Sequence, residues 1–303
     1  MLSRLKKYSE KKQLIGFISN EDAENFDVNV VDSMTEEKVA SIGYTTVNVQ
    51  TLIDELSAMK NVFKGFIVDL FQLDLHSTPY QFIFGYCKEL RKLFHQKEIP
   101  SVFITYEGST FATYLIASKI DFQFDDTILF VITHYSDSQE RSKFGVTTAQ
   151  LKFTPNGYQL IKHQRILSLS IKTKPELLHQ QICGDLASNP SPPKYVIIPT
   201  IGCNRIPFKK IFKSNNLILL NQPVEIFHKE FIMETYKWLM DKTYIKYHIM
   251  PFSVRDLHIY GYYGTEKNIM EILKINTGDP LPISKAVIHT RSLPLYFVRI
   301  FLF

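Results

Sequence analysis

The fold of this chain is decided by the stretch YVIIPTIGCNRIP, residues 195–207. It begins with an apolar run, Tyr195–Ile198, which predicts a buried strand. A turn containing Gly202 follows, and Pro207 then opens a helix or turn that reaches Lys213. A strand that passes through a loop into a helix is the building unit of α/β proteins, so this stretch predicts an α/β fold.

The same alternation of strands and helices continues on both sides of this stretch, as far as residue 245. The predicted strands are Gln13–Ser19, Phe26–Val31, Val39–Val49, Gly65–Leu70, Ser101–Tyr106, Thr127–Thr133 and Leu217–Leu220. The predicted helices are Thr51–Met59, Tyr80–His95, Thr110–Lys119, Lys174–Asp185 and Val224–Lys242. From Ile249 onward, short β-type runs separated by glycine and proline predict an all-β piece. We therefore expect two domains, residues 1–245 and 246–303.

A β-hairpin is predicted in the middle of the chain. Its strands are Phe144–Phe153 and Tyr158–Ile166, and the sequence Thr-Pro-Asn-Gly lies between them. Asn156 and Gly157 are the residue types that adopt the positive φ angles of a tight two-residue turn.

The composition indicates a globular chain that is poor in glycine. Hydrophobic residues make up 45% of the sequence and the net charge is +5. Twelve of the 303 residues are glycine, about 4% against a typical usage of roughly 7%. Few positions are therefore suited to wrapping a phosphate closely. No basic stripe carries interleaved aromatic residues, so we expect no nucleic-acid partner.

Cysteine usage and hydropathy predict a cytoplasmic or nucleocytoplasmic chain without metal. Cys87, Cys183 and Cys203 lie too far apart in sequence for zinc-ligand spacing, and their odd number does not suggest a disulfide framework. The first thirty residues lack the apolar core of a signal peptide. The longest apolar runs fall short of the ~20 residues that cross a bilayer, so we expect no membrane partner.

Three segments of the chain, in this order, resemble the seventy-kilodalton heat-shock chaperone family. Residues 195–207 resemble its adenosine-side loop, an apolar strand followed by Gly-Gly-Ser-x-Arg-Ile-Pro. Met250–Val254 resembles the opening of its substrate-binding β-sandwich, and Glu271–Pro282 is similar to the segment just downstream. The third likeness is architectural. Residues 127–166 sit where the family carries its second phosphate loop and a hairpin, and Asn221–Leu239 resembles the helix before its interdomain linker.

This resemblance implies a degenerate actin-like (ribonuclease-H-like) nucleotide-binding domain, followed by a short β-rich segment that resembles the start of the chaperone β-sandwich. It also implies ATP as the cofactor and assistance of protein folding as the activity. Carried over residue by residue, the nucleotide contacts of the family fall on Gly16, Gly202, Cys203 and Arg205.

The chain departs from the family pattern where phosphate would be bound. The aspartate that organises magnesium-bound water is Ile18 here, and the loop glycine is Asn20, followed by Glu21. The second phosphate loop becomes Val131–Tyr135, without glycine, and the first glycine of the adenosine-side loop becomes Ile201. Phosphoryl transfer depends on a metal ion and on backbone donors aimed at the phosphates. We therefore expect weak or lost ATP binding, no bound Mg²⁺, no catalytic residue, and action through contacts with other proteins, such as unfolded clients or co-chaperones.

Other interpretations stay open at this point. The competing hypothesis is an active ATPase or phosphotransferase of the actin-like superfamily with a rearranged site, and a third is a non-functional gene product. Arg205 could stack on adenine or cap the helix after Pro207. Glu107-Gly108-Ser109 could supply a serine nucleophile, but without a Gly-x-Ser-x-Gly elbow it is interpreted as a strand-to-helix cap. The apolar stretch Leu293–Phe303 suggests either an unpaired strand that recruits a partner or the end of a truncated reading frame.

Overall fold

A computed structural model describes residues 2, 4, 5, 13–59, 61–73, 83–135, 142–183, 193–201, 203, 206–213, 216–262, 269–282 and 295–301. The chain divides into two compact units. Unit 1 comprises residues 1–119 and 223–248, and unit 2 comprises residues 120–222 and 249–303. The predicted domain boundary between residues 245 and 246 stays a prediction.

Unit 1 is built on a five-stranded mixed sheet. Its strands are β1 (Leu14–Asn20), β2 (Asn25–Asp32), β3 (Lys38–Thr45), β4 (Phe63–Asp69) and β5 (Ser101–Phe103). Its helices are α1 (Val49–Ala58), α2 (Ile83–Gln96) and α3 (Tyr106–Ser118). The spatial order is β3-β2-β1-β4-β5, in which β1, β2 and β3 are antiparallel neighbours and β1, β4 and β5 run parallel.

Unit 2 repeats this arrangement in its own sheet. Its strands and helices are β6 (Thr127–Tyr135), β7 (Lys143–Thr154), β8 (Gly157–Ser170), α4 (Pro175–Cys183), β9 (Tyr195–Pro199), α5 (Phe208–Ile211) and β10 (Leu217–Leu220). The order β8-β7-β6-β9-β10 and the strand directions match those of unit 1. Two copies of this ribonuclease-H-like order make up the actin-like fold, which confirms the predicted fold class.

The elements that follow β10 belong to different units. A 3-10 turn (Val224–Phe227) and helix α6 (His228–Met240) belong to unit 1. A three-stranded antiparallel sheet of β11 (Asp256–Tyr262), β12 (Ile269–Ile275) and β13 (Leu295–Phe301) belongs to unit 2. Of the two alternatives for Leu293–Phe303, the unpaired strand is contradicted for Leu295–Phe301, because β13 pairs with β11 along its whole length. Within the described part of the chain, no helix is long and apolar enough to cross a membrane.

Two local boundaries differ from the sequence prediction. The strand predicted to end at Val49 stops at Thr45, because the Asn48 side chain accepts a hydrogen bond from the Thr45 amide at 2.7 Å and turns the chain into α1. The predicted hairpin is present. Gly157 has a φ of 116° there, whereas Asn156 is not among the residues with positive φ.

The two faces of the unit 1 sheet differ in character, and this difference positions the site described below. One face is apolar and contributes Ile18, Phe26 and Phe66 to the core that α1 and α2 cover. On the other face, Phe17 packs against Phe231 of α6, with ring centroids 5.3 Å apart. Toward the ends of β1 and β4 this second face becomes polar.

Candidate functional site

The four residues predicted to contact a nucleotide do not form a group that the structure describes. Gly202 and Arg205 lie outside the described residues. Gly16 belongs to unit 1 and Cys203 to unit 2. The nucleotide-binding role of all four, and the suggested capping or stacking by Arg205, stay predictions.

Gly16 has a packing reason to be glycine. It pairs with Phe66 across β1 and β4, and a Cβ atom at position 16 would lie 2.2 Å from Cε1 of that ring. No side chain fits at that distance. Cys203 is buried, and its Sγ contacts the Thr133 hydroxyl and, at 3.4 Å, the carbonyl oxygen of Ile201.

The turn between β1 and β2 does not fit a phosphate group. A phosphate cradle needs free backbone N–H groups. Here the Asp22 carboxylate accepts the backbone N–H groups of Glu24 and Asn25, both at 2.7 Å. A hydrogen bond from the Asn25 side-chain amide, together with these two, keeps the pKa of Asp22 below its ordinary value. At Glu21, the nearby charge of Asp27 raises the pKa of the carboxyl group. The backbone N–H groups of Glu24 and Asn25 are already hydrogen-bonded and side chains of this turn are acidic, so both features disfavour phosphate binding here.

The segment predicted as a second phosphate loop is strand as far as the structure describes it. Val131–Tyr135 continues β6 and pairs with β7. His134 donates to or accepts from the Thr147 hydroxyl at 2.9 Å, and burial lowers the pKa of its imidazole. Residues 136–141 lie outside the described residues.

A polar pocket lies within unit 1, at the carboxyl ends of β1 and β4. Its volume is about 610 Å³. Three polar residues form one row across its floor, because Ser19 of β1 pairs with Asp27 of β2 on one side and with Asp69 of β4 on the other. Residues paired in this way point to the same face of a sheet. In α/β sheets this end of the parallel strands is where ligands commonly bind.

Asp69 is the most perturbed group in this pocket. Only 3% of its surface is exposed. Burial is the main cause that raises the pKa of its carboxyl group to about 7, the charge of Glu107 raises it further, and a hydrogen bond from Ser109 partly opposes both. Its Oδ1 atom has no hydrogen-bond partner among the described residues. A carboxyl group with this pKa exists in both protonation states near neutral pH, as general acid–base catalysis requires.

Ser109 is held against Asp69 by the start of α3. The Ser109 hydroxyl donates to Oδ2 of Asp69 at 2.8 Å and also lies 2.9 Å from the carbonyl oxygen of Tyr106. The helix begins at Tyr106, four residues before the predicted start, because the Thr105 side chain accepts the Gly108 amide at 3.2 Å. The interpretation of Glu107-Gly108-Ser109 as the cap is therefore corrected. Thr105 is the cap, and Ser109 points into the first turn toward the pocket.

Two lysines and a histidine bring positive charge or hydrogen-bond donors to the same pocket. Lys38 of β3 and Lys229 of α6 line it, as does His228. The His228 ring meets Phe17 edge-on at 6.0 Å, and burial lowers the pKa of the imidazole, which keeps it neutral at physiological pH. Among the described residues, no group of three or more His, Cys, Asp or Glu side chains could hold a metal ion.

The sequence contained a signal for Asp69 that the prediction did not use. The run Phe66-Ile67-Val68-Asp69 places a carboxylate at the last position of an otherwise apolar strand. Burying a charged side chain at the end of a parallel strand costs free energy, so a carboxylate at that position indicates a ligand-binding or catalytic site. Ser109 carried no comparable signal, because its contact with Asp69 spans 40 residues.

Comparison with known proteins gives structural likenesses only. No protein-family model matches the chain, and no curated protein matches its sequence. An Aquifex aeolicus member of the Ppx/GppA protein family is similar over 61% of this chain, with 9% identity and a TM-score of 0.30. The aligned part is 65% of that protein, so the match spans about two thirds of its length.

YeaZ from Pseudomonas aeruginosa is similar over 76% of this chain and 93% of its own, with 10% identity and a TM-score of 0.31. An exopolyphosphatase from Cytophaga hutchinsonii is similar over 61% of this chain and 66% of its own, with 10% identity and a TM-score of 0.27. TM-scores this low carry no weight for function. The fold assignment rests on the repeated strand order, and membership of the heat-shock chaperone family is not established.

Proposed function

We propose that this chain is an enzyme of the actin-like superfamily that transfers or hydrolyses a phosphoryl group in the unit 1 pocket, with Asp69 as the acid–base group. The observation that carries the proposal is the Asp69 carboxyl group itself, buried at the end of a central parallel strand, with a pKa of about 7 and one oxygen without a partner among the described residues. Strongly perturbed carboxyl groups in pockets are candidates for catalysis. Here the group would take a proton from the attacking water or hydroxyl.

The charges around the pocket favour a substrate with a single phosphate group. Lys38 and Lys229 supply positive charge, and α3 begins beside the pocket, where the helix dipole favours an anion. Glu21, Asp27 and Glu225 line the same pocket and would repel a long chain of phosphates. A phosphate monoester fits this balance better than a nucleoside triphosphate, whose first expected loop is closed by Asp22.

The test is phosphate release by the purified full chain from an aryl phosphate, ATP and inorganic polyphosphate, with and without a metal chelator. We expect turnover of the aryl phosphate that rises as the pH passes about 7, because the base form of Asp69 then predominates. Asp69→Asn is expected to reduce turnover by about 10²-fold or more, since general base catalysis is typically worth 10²–10⁴-fold.

The matched control is Asp32→Asn. Asp32 is also buried in the same sheet, but it accepts the amide of Met34 at 2.8 Å and lies outside the candidate site. Its thermal melting is measured beside that of Asp69→Asn, so that unfolding is separated from loss of chemistry. Absence of phosphate release from every substrate by the unmodified chain would overturn the proposed function.

A second candidate is a catalytically impaired relative of the heat-shock chaperones that acts through contacts with unfolded clients or co-chaperones. It is supported by the closed β1–β2 turn and by the three-stranded sheet at residues 256–301, in the region that resembles the chaperone β-sandwich. Suppression of the aggregation of a denatured client, together with no phosphate release, would favour this candidate over the enzyme.

A further inference from the structure

We propose that Ser109 is a nucleophile that carries the phosphoryl group covalently, and that Asp69 is its base. This inference rests on the proposed function and adds a covalent intermediate to it. Serine becomes a nucleophile when an adjacent base accepts its proton. The geometry of the two side chains meets that requirement.

The Ser109 hydroxyl and the Asp69 carboxyl group are in hydrogen-bond contact before any substrate is present. The distance from Oγ to Oδ2 is 2.8 Å, within the range expected for a nucleophile and its base. The position of Ser109 is set by its backbone, since its amide donates to the Thr105 carbonyl at 2.9 Å and its carbonyl accepts the Thr113 hydroxyl at 2.8 Å. These backbone contacts hold the serine in place, and its hydroxyl lies within hydrogen-bond distance of both Asp69 Oδ2 and the Tyr106 carbonyl oxygen.

The same pocket offers space for the phosphorus atom to approach. Ser109 is 9% exposed and lines the pocket together with Ser19 and Asp69. Ser109 is the fourth residue of a helix of 13 residues, so the attacking oxygen lies beside the positive end of the helix dipole. That end stabilises the negative charge that collects on the transferred group.

The chemistry balances with water as the only co-reactant. Ser109 Oγ forms a bond to phosphorus while the bond from phosphorus to the leaving oxygen breaks, and the serine proton moves to Oδ2 of Asp69. Asp69 then gives that proton to the leaving alkoxide. In the second step, a water oxygen attacks the phosphorus of the phosphoserine and Asp69 takes the water proton. The bond from phosphorus to Ser109 Oγ breaks, and Asp69 returns the proton to Ser109 Oγ. The net reaction converts a phosphate monoester and water to an alcohol and phosphate.

The direct test is detection of phosphoserine. The full chain is incubated with an aryl phosphate, quenched in acid and digested, and the peptide that contains Ser109 is examined by mass spectrometry. We expect one added phosphoryl group, located at Ser109. Ser109→Ala is expected to lose both the label and at least about 10³-fold in turnover, as removal of a nucleophile does in other hydrolases.

Ser118→Ala is the matched control, because Ser118 lies on the same helix, donates to the Leu115 carbonyl at 2.7 Å and does not line the pocket. It is expected to keep both label and turnover. If Ser109→Ala keeps its turnover while Asp69→Asn loses it, Ser109 is no nucleophile and the proposed function stands. If neither substitution affects turnover, the site itself is wrong. If the unmodified chain releases no phosphate, both proposals fail.

Discussion

At the scale of single residues, Asp69 is the group with the largest consequence. Its carboxyl pKa is raised from an ordinary value of 3.8 to about 7, mainly because the group is buried. The folded protein therefore holds a proton there that the unfolded chain has already released between about pH 4 and pH 7. In this range the unfolding free energy decreases as the pH rises. A site that can exchange protons near neutral pH is thus maintained at a cost in stability.

This cost predicts that Asp69→Asn stabilises the protein while it removes activity. The neutral amide has no charge to bury, so the variant should gain nothing near pH 4. The gain should grow to as much as about 4 kcal/mol above pH 7, at about 1.4 kcal/mol per pH unit. Urea unfolding of both proteins from pH 5 to pH 8.5 measures the difference. A variant that is less stable than the parent at pH 8 would contradict the assignment of a buried, charge-destabilised carboxyl group.

At the scale of secondary structure, the contact between β1 and β4 depends on Gly16. The Phe66 ring occupies the volume that any side chain at position 16 would need. This explains why the strand contains a glycine, which normally weakens strands. The residue that the family resemblance assigns to nucleotide binding has a sufficient reason in packing alone.

Gly16→Ala is accordingly expected to lower the unfolding free energy by about 1–3 kcal/mol, as overpacked core positions do. Gly108→Ala is the matched control. A Cβ there would lie 3.5 Å from the Thr105 hydroxyl oxygen, an ordinary contact, and alanine is the better helix former by up to about 1 kcal/mol. Thermal melting of the two variants checks the contrast. Equal stability of Gly16→Ala and the parent would contradict the packing role.

The elements that sequence could predict are those with strong local patterns. The strand at Tyr195–Ile198 and the hairpin around Pro155–Gly157 formed as expected, because their signals lie within a few residues, but of the two turn residues only Gly157 has a positive φ. The start of α3 was placed too late because Thr105 lies in a run of β-type residues, and that run predicts a strand as far as Tyr106. The site was missed for another reason. Ser19, Asp27 and Asp69 become neighbours only through strand pairing, which no local pattern encodes.

At the scale of the whole molecule, the buried Asp69 and the half-buried His248 act on stability in opposite directions as the pH changes. His248 stacks on Trp238 with ring centroids 3.9 Å apart, and burial is the main cause that lowers its pKa from 6.5 to about 4. Between these values the unfolded chain binds the proton that the folded chain lacks, so His248 makes stability increase with pH. Asp69 makes it decrease over much of the same range, and the two contributions largely cancel.

Replacing His248 should make the pH dependence of stability that Asp69 contributes measurable. We expect His248→Gln to be more stable than the parent at pH 5, by up to about 2 kcal/mol, and equal to it above pH 7. Trp238 is the only tryptophan, and its contacts with His248 and with Lys242 Nζ, 3.3 Å from the ring centroid, make its fluorescence a reporter of unfolding in this region. An unfolding free energy that stays equal to that of the parent across this range would rule out a lowered pKa at His248.

Because the same strand order occurs twice, each strand of one sheet has a counterpart in the other. The last residue of β4 is Asp69, and the last residue of the corresponding strand β9 is Pro199. Proline has neither an ionisable group nor a backbone N–H. A duplicated strand order thus allows corresponding strand ends to carry residues of different chemistry on the same scaffold. Comparing corresponding strands of the two sheets therefore distinguishes residues that the shared fold requires from residues that are particular to one unit.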